Sequence, residues 1–119
     1  MAIQLTPHIL RQAYELLSAC EPFVRWNLPD ADEIKFRVAK DKNCAGWHHT
    51  KRGRPPHTIA ISNRLIGSLY TLLEVMAHEL IHLHMVHSKI PDTSDHGKAF
   101  QKFADQVCKA HHVFDRTIF

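Results

Sequence analysis

The sequence predicts an α+β fold, in which a small antiparallel sheet packs on one long helix and two further helices. Residues 33–39 alternate between apolar and charged side chains as in a strand, and apolar residues recur at helical spacing around 65–88 and 100–107. The chain has 119 residues, of which 45% are hydrophobic, and this is enough for one hydrophobic core. We therefore expect a single domain over residues 1–119.

The first helix should run roughly from Pro7 to Ala19. Thr6 can cap it, proline suits its first position, and apolar residues then recur with a helical period. An irregular connection that contains Pro22 and Pro29 should follow this helix.

The alternating segment predicts a first strand over residues 33–39. Residues 45–50 and 57–61 are two further strand candidates, separated by a basic turn at 51–56. Because the three strands follow one another closely, we expect them to form an antiparallel sheet.

A second helix should begin after Ser62, which can cap it, and continue to about Ser88. The Gly-Ser pair at 67–68 can divide it into a turn and a long helix. A third helix is predicted around residues 100–107, and the last segment, 113–119, is predicted to be extended.

The long helix carries an H-E-x-x-H motif at His78, Glu79 and His82, in a chain with eleven histidines. Residues four apart on a helix differ by about 40° around its axis, so both imidazoles can reach one metal ion. Glu79 stands where a carboxylate reaches the water that the metal activates, which makes it the candidate catalytic general base. Imidazoles in an apolar helix are costly unless they are paired or bind a metal, and this favours a metal site over a chance match.

A catalytic zinc ion takes three protein ligands and keeps one position open, so a third ligand must come from elsewhere in the chain. No glutamate follows His82, which excludes a glutamate ligand from a later helix. The longer metzincin motif would place glycine and histidine at the positions of Met85 and Ser88. Both of these ligand sets are therefore excluded.

The remaining histidines near the motif differ in their geometry. On a continuing helix, His84 and His87 point away from the motif pair. His96 follows a connection that is long enough for the chain to turn back, and we take it as the third metal ligand. Asp92 and Asp95 remain alternative oxygen ligands.

Charge and cysteine usage bear on partners and location. The net charge is +3, and Lys51, Arg52 and Arg54 concentrate positive charge in one turn that could contact DNA, with a solvated surface as the alternative. The first residues lack a secretory signal, and charged residues and histidines interrupt the most apolar helix. The three cysteines form no C-x-x-C pair. We expect a cytoplasmic protein with reduced thiols and no membrane span.

The motif and its surroundings resemble a known family. H-E-L-I-H at 78–82, followed by H-G-K-A-F at 96–100, resembles the SprT-like, or Spartan-type, zinc metalloproteases. A-G-W at 45–47 and I-A-I-S at 59–62 occur in the order that this family would have. The resemblance spans about residues 33–110.

The resemblance implies a zincin-like minimal metalloprotease domain with one catalytic zinc ion. By resemblance, His78, His82 and His96 are the metal ligands and Glu79 is the catalytic acid/base. The Spartan branch is associated with cleavage of proteins crosslinked to DNA. Many members carry a zinc ribbon after the protease core, whereas here Cys108 is the one cysteine beyond His96.

The expected function is zinc-dependent hydrolysis of peptide bonds, with DNA-associated proteins as candidate substrates. The strand at 57–61 could hold an extended substrate by main-chain pairing. Two other classes of protein are alternatives, a metal-dependent nuclease and a nonenzymatic zinc-stabilised module that binds nucleic acid. Glu79 argues against the nuclease, because the motif of those enzymes resembles H-G-x-x-H, with glycine at the position of Glu79.

Overall fold

The computed structural model describes residues 4–51 and 54–119. Helix α1 (Pro7–Ser18) begins after Thr6, whose Oγ1 accepts a hydrogen bond from the N–H of Ile9 at 3.1 Å. The predicted first helix is confirmed, with its end one residue earlier than expected. Two short 3-10 turns follow, at Phe23–Arg25 and Ala31–Glu33. The face of α1 that enters the core consists of Leu10, Ala13, Tyr14 and Leu17.

Three strands form one mixed sheet: β1 (Ile34–Ala39), β2 (Gly46–Lys51) and β3 (Arg54–Ser62). β3 lies in the centre, parallel to β1 on one side and antiparallel to β2 on the other. The three predicted strands are therefore present, and β3 begins earlier than expected. The fold is α+β, as predicted.

The prediction of an all-antiparallel sheet is wrong, because β1 runs parallel to its neighbour. β3 inserts between β1 and β2, so the loop at residues 40–45 must cross the end of β3. There the Oγ of Ser62 donates to the carbonyl of Asp41 at 2.6 Å, and its N–H donates to the carbonyl of Ala45 at 2.7 Å. The order of the strands depends on this loop crossing. The amino-acid sequences of the strands themselves do not reveal it.

Helix α2 (Leu69–His87) begins after Ser68, whose Oγ accepts a hydrogen bond from the N–H of Thr71 at 3.2 Å. The predicted cap at Ser62 is wrong, since Ser62 ends β3. α2 packs on β2 and β3 and also contacts α1. Its fully buried side chains include Leu72, Met76, Leu80, Ile81 and Leu83. No helix in the described ranges is long and apolar enough to cross a membrane.

Helix α3 (Lys98–Ala110) packs on α2. The segment that was predicted to be extended, 113–119, instead contains a 3-10 turn at Arg116–Ile118, so that prediction is wrong. Oδ1 of Asp115 accepts a hydrogen bond from the N–H of Thr117 at 3.0 Å, and such an aspartate favours a turn over an extended chain. The N–H of Asp115 donates to Oε2 of Glu74 at 2.7 Å, which ties this turn to α2.

Candidate metal centre

Two histidines of α2 and one from the following loop meet at one point. His78 and His82 lie one turn apart on α2, with ring centroids 5.0 Å from each other. His96 lies just before Gly97, the N-cap residue of α3. Its Nε2 is 3.1 Å from Nε2 of His78 and 3.1 Å from Nε2 of His82. The structure thus brings the three predicted ligands together.

The convergence of these nitrogens fits a metal ion better than it fits hydrogen bonding. A neutral Nε2 either donates or accepts one hydrogen bond, so His96 can satisfy only one of its two neighbours in that way. Nitrogens bound tetrahedrally to zinc at about 2.0–2.1 Å lie roughly 3.3–3.4 Å apart. Within the described residues, these three histidines form the one group of His, Cys, Asp or Glu side chains with ligand atoms close enough to hold a metal ion.

Phe100 forms an apolar floor under the three imidazoles. Its ring is fully buried, and its centroid lies 4.9 Å from that of His78, 4.7 Å from that of His82 and 4.7 Å from that of His96. A ring in contact with all three histidines restricts their rotation. The helical period identified Phe100 as a core residue but gave no sign of this contact.

Burial keeps His78 and His82 in the neutral form that binds metals. Burial, together with the neighbouring His82 and His96, lowers the pKa of His78 to about 4. Burial also lowers the pKa of His82, against the opposing effect of Asp95. A ring nitrogen must be unprotonated to bind a metal ion, so both imidazoles can bind one at neutral pH without losing a proton.

Glu79 follows His78 on α2 and is only 4% exposed. Burial, together with the negative charge of Asp95, raises the pKa of its carboxyl group to about 8. A cation held by the histidines would favour the carboxylate and lower this pKa again. Ionisation of Glu79 is therefore coupled to the presence of a cation.

The histidines and Glu79 line a cleft of about 500 Å³, with β2 along one side. β2 is one of the two edge strands of the described sheet, with β3 on one side and no described strand on the other. The prediction that the strand at 57–61 receives a substrate is wrong, because β3 is paired on both sides. The sheet edge that borders the cleft, where a strand could be added, is that of β2.

The two alternative ligands do not join the three histidines. Oδ2 of Asp92 accepts a hydrogen bond from the N–H of Phe100 at 3.0 Å, so its carboxylate is directed to the start of α3. Asp95 lines the cleft, but its side chain is 86% exposed and its Oδ2 lies 3.8 Å from Nδ1 of His96, the nitrogen that does not face the other histidines.

The predicted DNA contact falls on side chains outside the described residues. Lys51 is the last residue of β2 and Arg54 the first residue of β3, and Arg52 itself is outside the described residues. The contact between these basic residues and DNA therefore stays a prediction from the sequence.

A second histidine cluster, formed by His48, His57 and His87, was not predicted. The ring centroids of His48 and His57 are 5.9 Å apart, and those of His57 and His87 are 5.7 Å apart. His57 is fully buried, and neither of its ring nitrogens has a hydrogen-bond partner among the described residues. Burial lowers the pKa of His48 to about 4 and also lowers that of His57. The three residues come from β2, β3 and α2, so no sequence spacing could reveal the cluster.

The chain has an α+β fold in which three imidazoles converge beside a buried carboxylate of α2. These features define a protein with a candidate metal site. The SprT-like family matches residues 13–118, and the chain belongs to this family. The resemblance inferred from the segments at 78–82 and 96–100 is therefore confirmed, and the match is longer than expected. No match to an individual curated protein was found.

Proposed function

We propose that the protein is a zinc-dependent metallopeptidase, in which His78, His82 and His96 hold one zinc ion and Glu79 is the general base. The observation that carries this proposal is the convergence of three Nε2 atoms beside a buried glutamate in an open cleft. Membership of the SprT-like family supports it. Zinc suits a site of three imidazoles with one open position.

In this proposal, each residue of the site has a separate role in the reaction. A zinc ion, when bound, supplies Lewis acidity that polarises the scissile carbonyl and lowers the pKa of water. The carboxylate of Glu79 takes a proton from the attacking water and delivers it to the leaving amine. The neutral imidazoles of His78 and His82 fix the position of the ion, and the ring of Phe100 fixes theirs.

In the same proposal, an extended segment of a protein pairs with the outer edge of β2, the edge opposite β3. Residues 46–50 of this strand line the cleft beside Glu79. Such pairing uses the N–H and C=O groups of the main chain, which nearly all residues share. It therefore suits unfolded proteins of varied sequence.

The substitution Glu79→Gln tests the mechanism. It removes the base and keeps the size of the side chain, so we expect cleavage of an unfolded protein such as casein to fall by about 10²–10⁴-fold or more. Zinc content, measured by atomic absorption, should not change. Glu74→Gln is the matched control on the same helix, and it keeps an acceptor oxygen for the N–H of Asp115.

Two results would contradict the proposed mechanism. Cleavage at the wild-type rate by Glu79→Gln would remove Glu79 from the reaction. An equal loss of cleavage in Glu74→Gln would indicate damage to α2 as a whole.

We also propose that Lys51, Arg52 and Arg54 contact DNA and so bring the protein to DNA-associated substrates. The support is the charge of this turn and its place at the end of β2, the strand beside the cleft. A gel shift over a salt series should show salt-sensitive binding that is lost when all three are changed to glutamine. Binding that persists in this variant would end the DNA proposal.

A cytoplasmic location belongs to the same proposal. Cys20, Cys44 and Cys108 are all free thiols in the structure. Free thiols are typical of proteins in a reducing compartment. Fractionation of cells that produce the tagged full chain, with blotting of each fraction, would test the location.

A further inference from the structure

Asp92, in the loop between α2 and α3, caps a helix to which it does not belong. Its Oδ2 accepts a hydrogen bond from the N–H of Phe100 at 3.0 Å, and its Oδ1 accepts from that of Ala99 at 3.2 Å. These N–H groups belong to the second and third residues of α3, the ones that an N-cap side chain usually satisfies. The N-cap residue itself is Gly97, which has no side chain for that role.

Gly97 leaves room for the carboxylate. A Cβ atom at this position would collide with Oδ1 of Asp92 and with Oγ1 of Thr93. Oδ1 of Asp92 also accepts a hydrogen bond from the N–H of Thr93 at 2.7 Å. Asp92 therefore closes residues 92–100 into a ring that is held by hydrogen bonds at both ends.

This ring contains the third histidine of the metal centre. The side chain of His96 is 44% exposed, and its nearest acidic partner, Asp95, is 86% exposed and 3.8 Å away. An ion pair that is so exposed contributes little to holding a side chain. The backbone on both sides of His96 is held by Asp92, and the carbonyl of His96 accepts a hydrogen bond from Nε2 of Gln101 at 3.3 Å.

We propose that Asp92 is a positioning residue of the metal centre, which holds His96 against His78 and His82 before the ion binds. This inference rests on the proposed function, because it assumes that the three histidines bind zinc. A ligand that is already in place loses less conformational freedom on binding, so the Asp92 carboxylate raises zinc affinity without touching the ion.

A double-mutant cycle separates this role from a general contribution to folding. The zinc dissociation constant is measured by competition with a chelator for wild type, Asp92→Asn, His96→Ala and the double variant. Asp92→Asn should weaken binding about 10–100-fold, the usual effect of losing a group that orients a ligand. In the His96→Ala background the same change should have no further effect, because the ligand that Asp92 positions is gone.

Asp105→Asn is the matched control. It removes the same charge from the exposed side of α3, where Asp105 pairs with Arg116 at 2.9 Å, and should leave zinc affinity unchanged. Equal weakening by Asp92→Asn with and without His96 would overturn the inference in favour of a general structural role. If wild type binds zinc and Asp92→Asn binds it with the same affinity, the inference is overturned as well. Absence of zinc binding in wild type would instead overturn the proposed function.

A second variant keeps the inference testable if Asp92→Asn does not fold. Gly97→Ala places a methyl group against the carboxylate and leaves the charge intact. It should weaken zinc binding in the wild-type background and have no effect beside His96→Ala. The Co²⁺-substituted protein should also show a changed visible spectrum, because the position of one imidazole is altered. Unchanged affinity together with an unchanged spectrum would overturn the inference.

Discussion

The imidazole of His57 is fully buried at the interface between β3 and α2, and both of its ring nitrogens lack hydrogen-bond partners within the described part of the chain. A buried polar group without a partner costs about 1–3 kcal/mol. Its neighbours His48 and His87 each have one further buried nitrogen that no described residue contacts by a hydrogen bond. The second histidine cluster therefore opposes the stability of the sheet and helix packing around it.

Replacing His57 by leucine should stabilise the metal-free protein. Leucine is similar in size and has no polar atoms, so we expect the free energy of unfolding to rise by about 1–3 kcal/mol in a urea titration. His49→Leu is the matched control, because His49 is exposed on β2 and should change stability little. A loss of stability in His57→Leu alone would mean that the ring nitrogens have a partner, such as a buried water molecule.

At the scale of single residues, the sequence was informative where a function depends on local spacing. His78, Glu79 and His82 lie on one helical turn, so the pattern alone placed them together. His57, in contrast, reaches His48 through the pairing of β2 with β3 and reaches His87 through the packing of α2 on the sheet. These are contacts between distant segments, which no local pattern encodes.

At the scale of elements, β2 lies close against α2 at Gly46. A Cβ atom there would lie 2.9 Å from Cγ1 of Val75 on α2, 3.0 Å from Cδ1 of Ile61 and 3.1 Å from the carbonyl oxygen of Ala60. These contacts are too short for a methyl group. Glycine therefore allows the start of the edge strand to lie directly against the helix that carries Glu79.

Substitution of Gly46 by alanine should push β2 away from α2. Overpacking of this kind costs about 1–3 kcal/mol, which a thermal or denaturant unfolding curve would detect. Gly67→Ala is the matched control, since a Cβ atom at Gly67 meets nothing within 4 Å. Equal stability of the two variants would show that β2 does not depend on this close contact.

The elements themselves were predictable to a greater extent than their arrangement. The start of α1 followed from capping and the first strand from alternation, which are local properties, whereas β3 begins at Arg54, three residues before the predicted start. The order β1-β3-β2 did not follow from local properties, because it depends on the loop at 40–45 crossing the end of β3. The turn at Arg116–Ile118 was also missed, although Asp115 gives a local signal for it.

At the scale of the whole molecule, the candidate metal centre combines one local motif with one long connection. α2 supplies His78, Glu79 and His82 as a unit, whereas His96 returns to them through the loop that Asp92 holds. The sequence favoured His96 as the third ligand and left Asp92 and Asp95 as alternatives, and the structure places the ring of His96 against those of His78 and His82. The floor formed by Phe100 and the edge position of β2 required the folded chain.

The central claim is that three histidines hold one zinc ion on which cleavage depends. The most direct test is a zinc titration of the metal-free full chain, with cleavage of an unfolded protein as the readout. We predict no cleavage without metal and activity that rises to a plateau at one zinc ion per chain. Full cleavage by the metal-free protein, or none with one zinc ion bound, would contradict the claim.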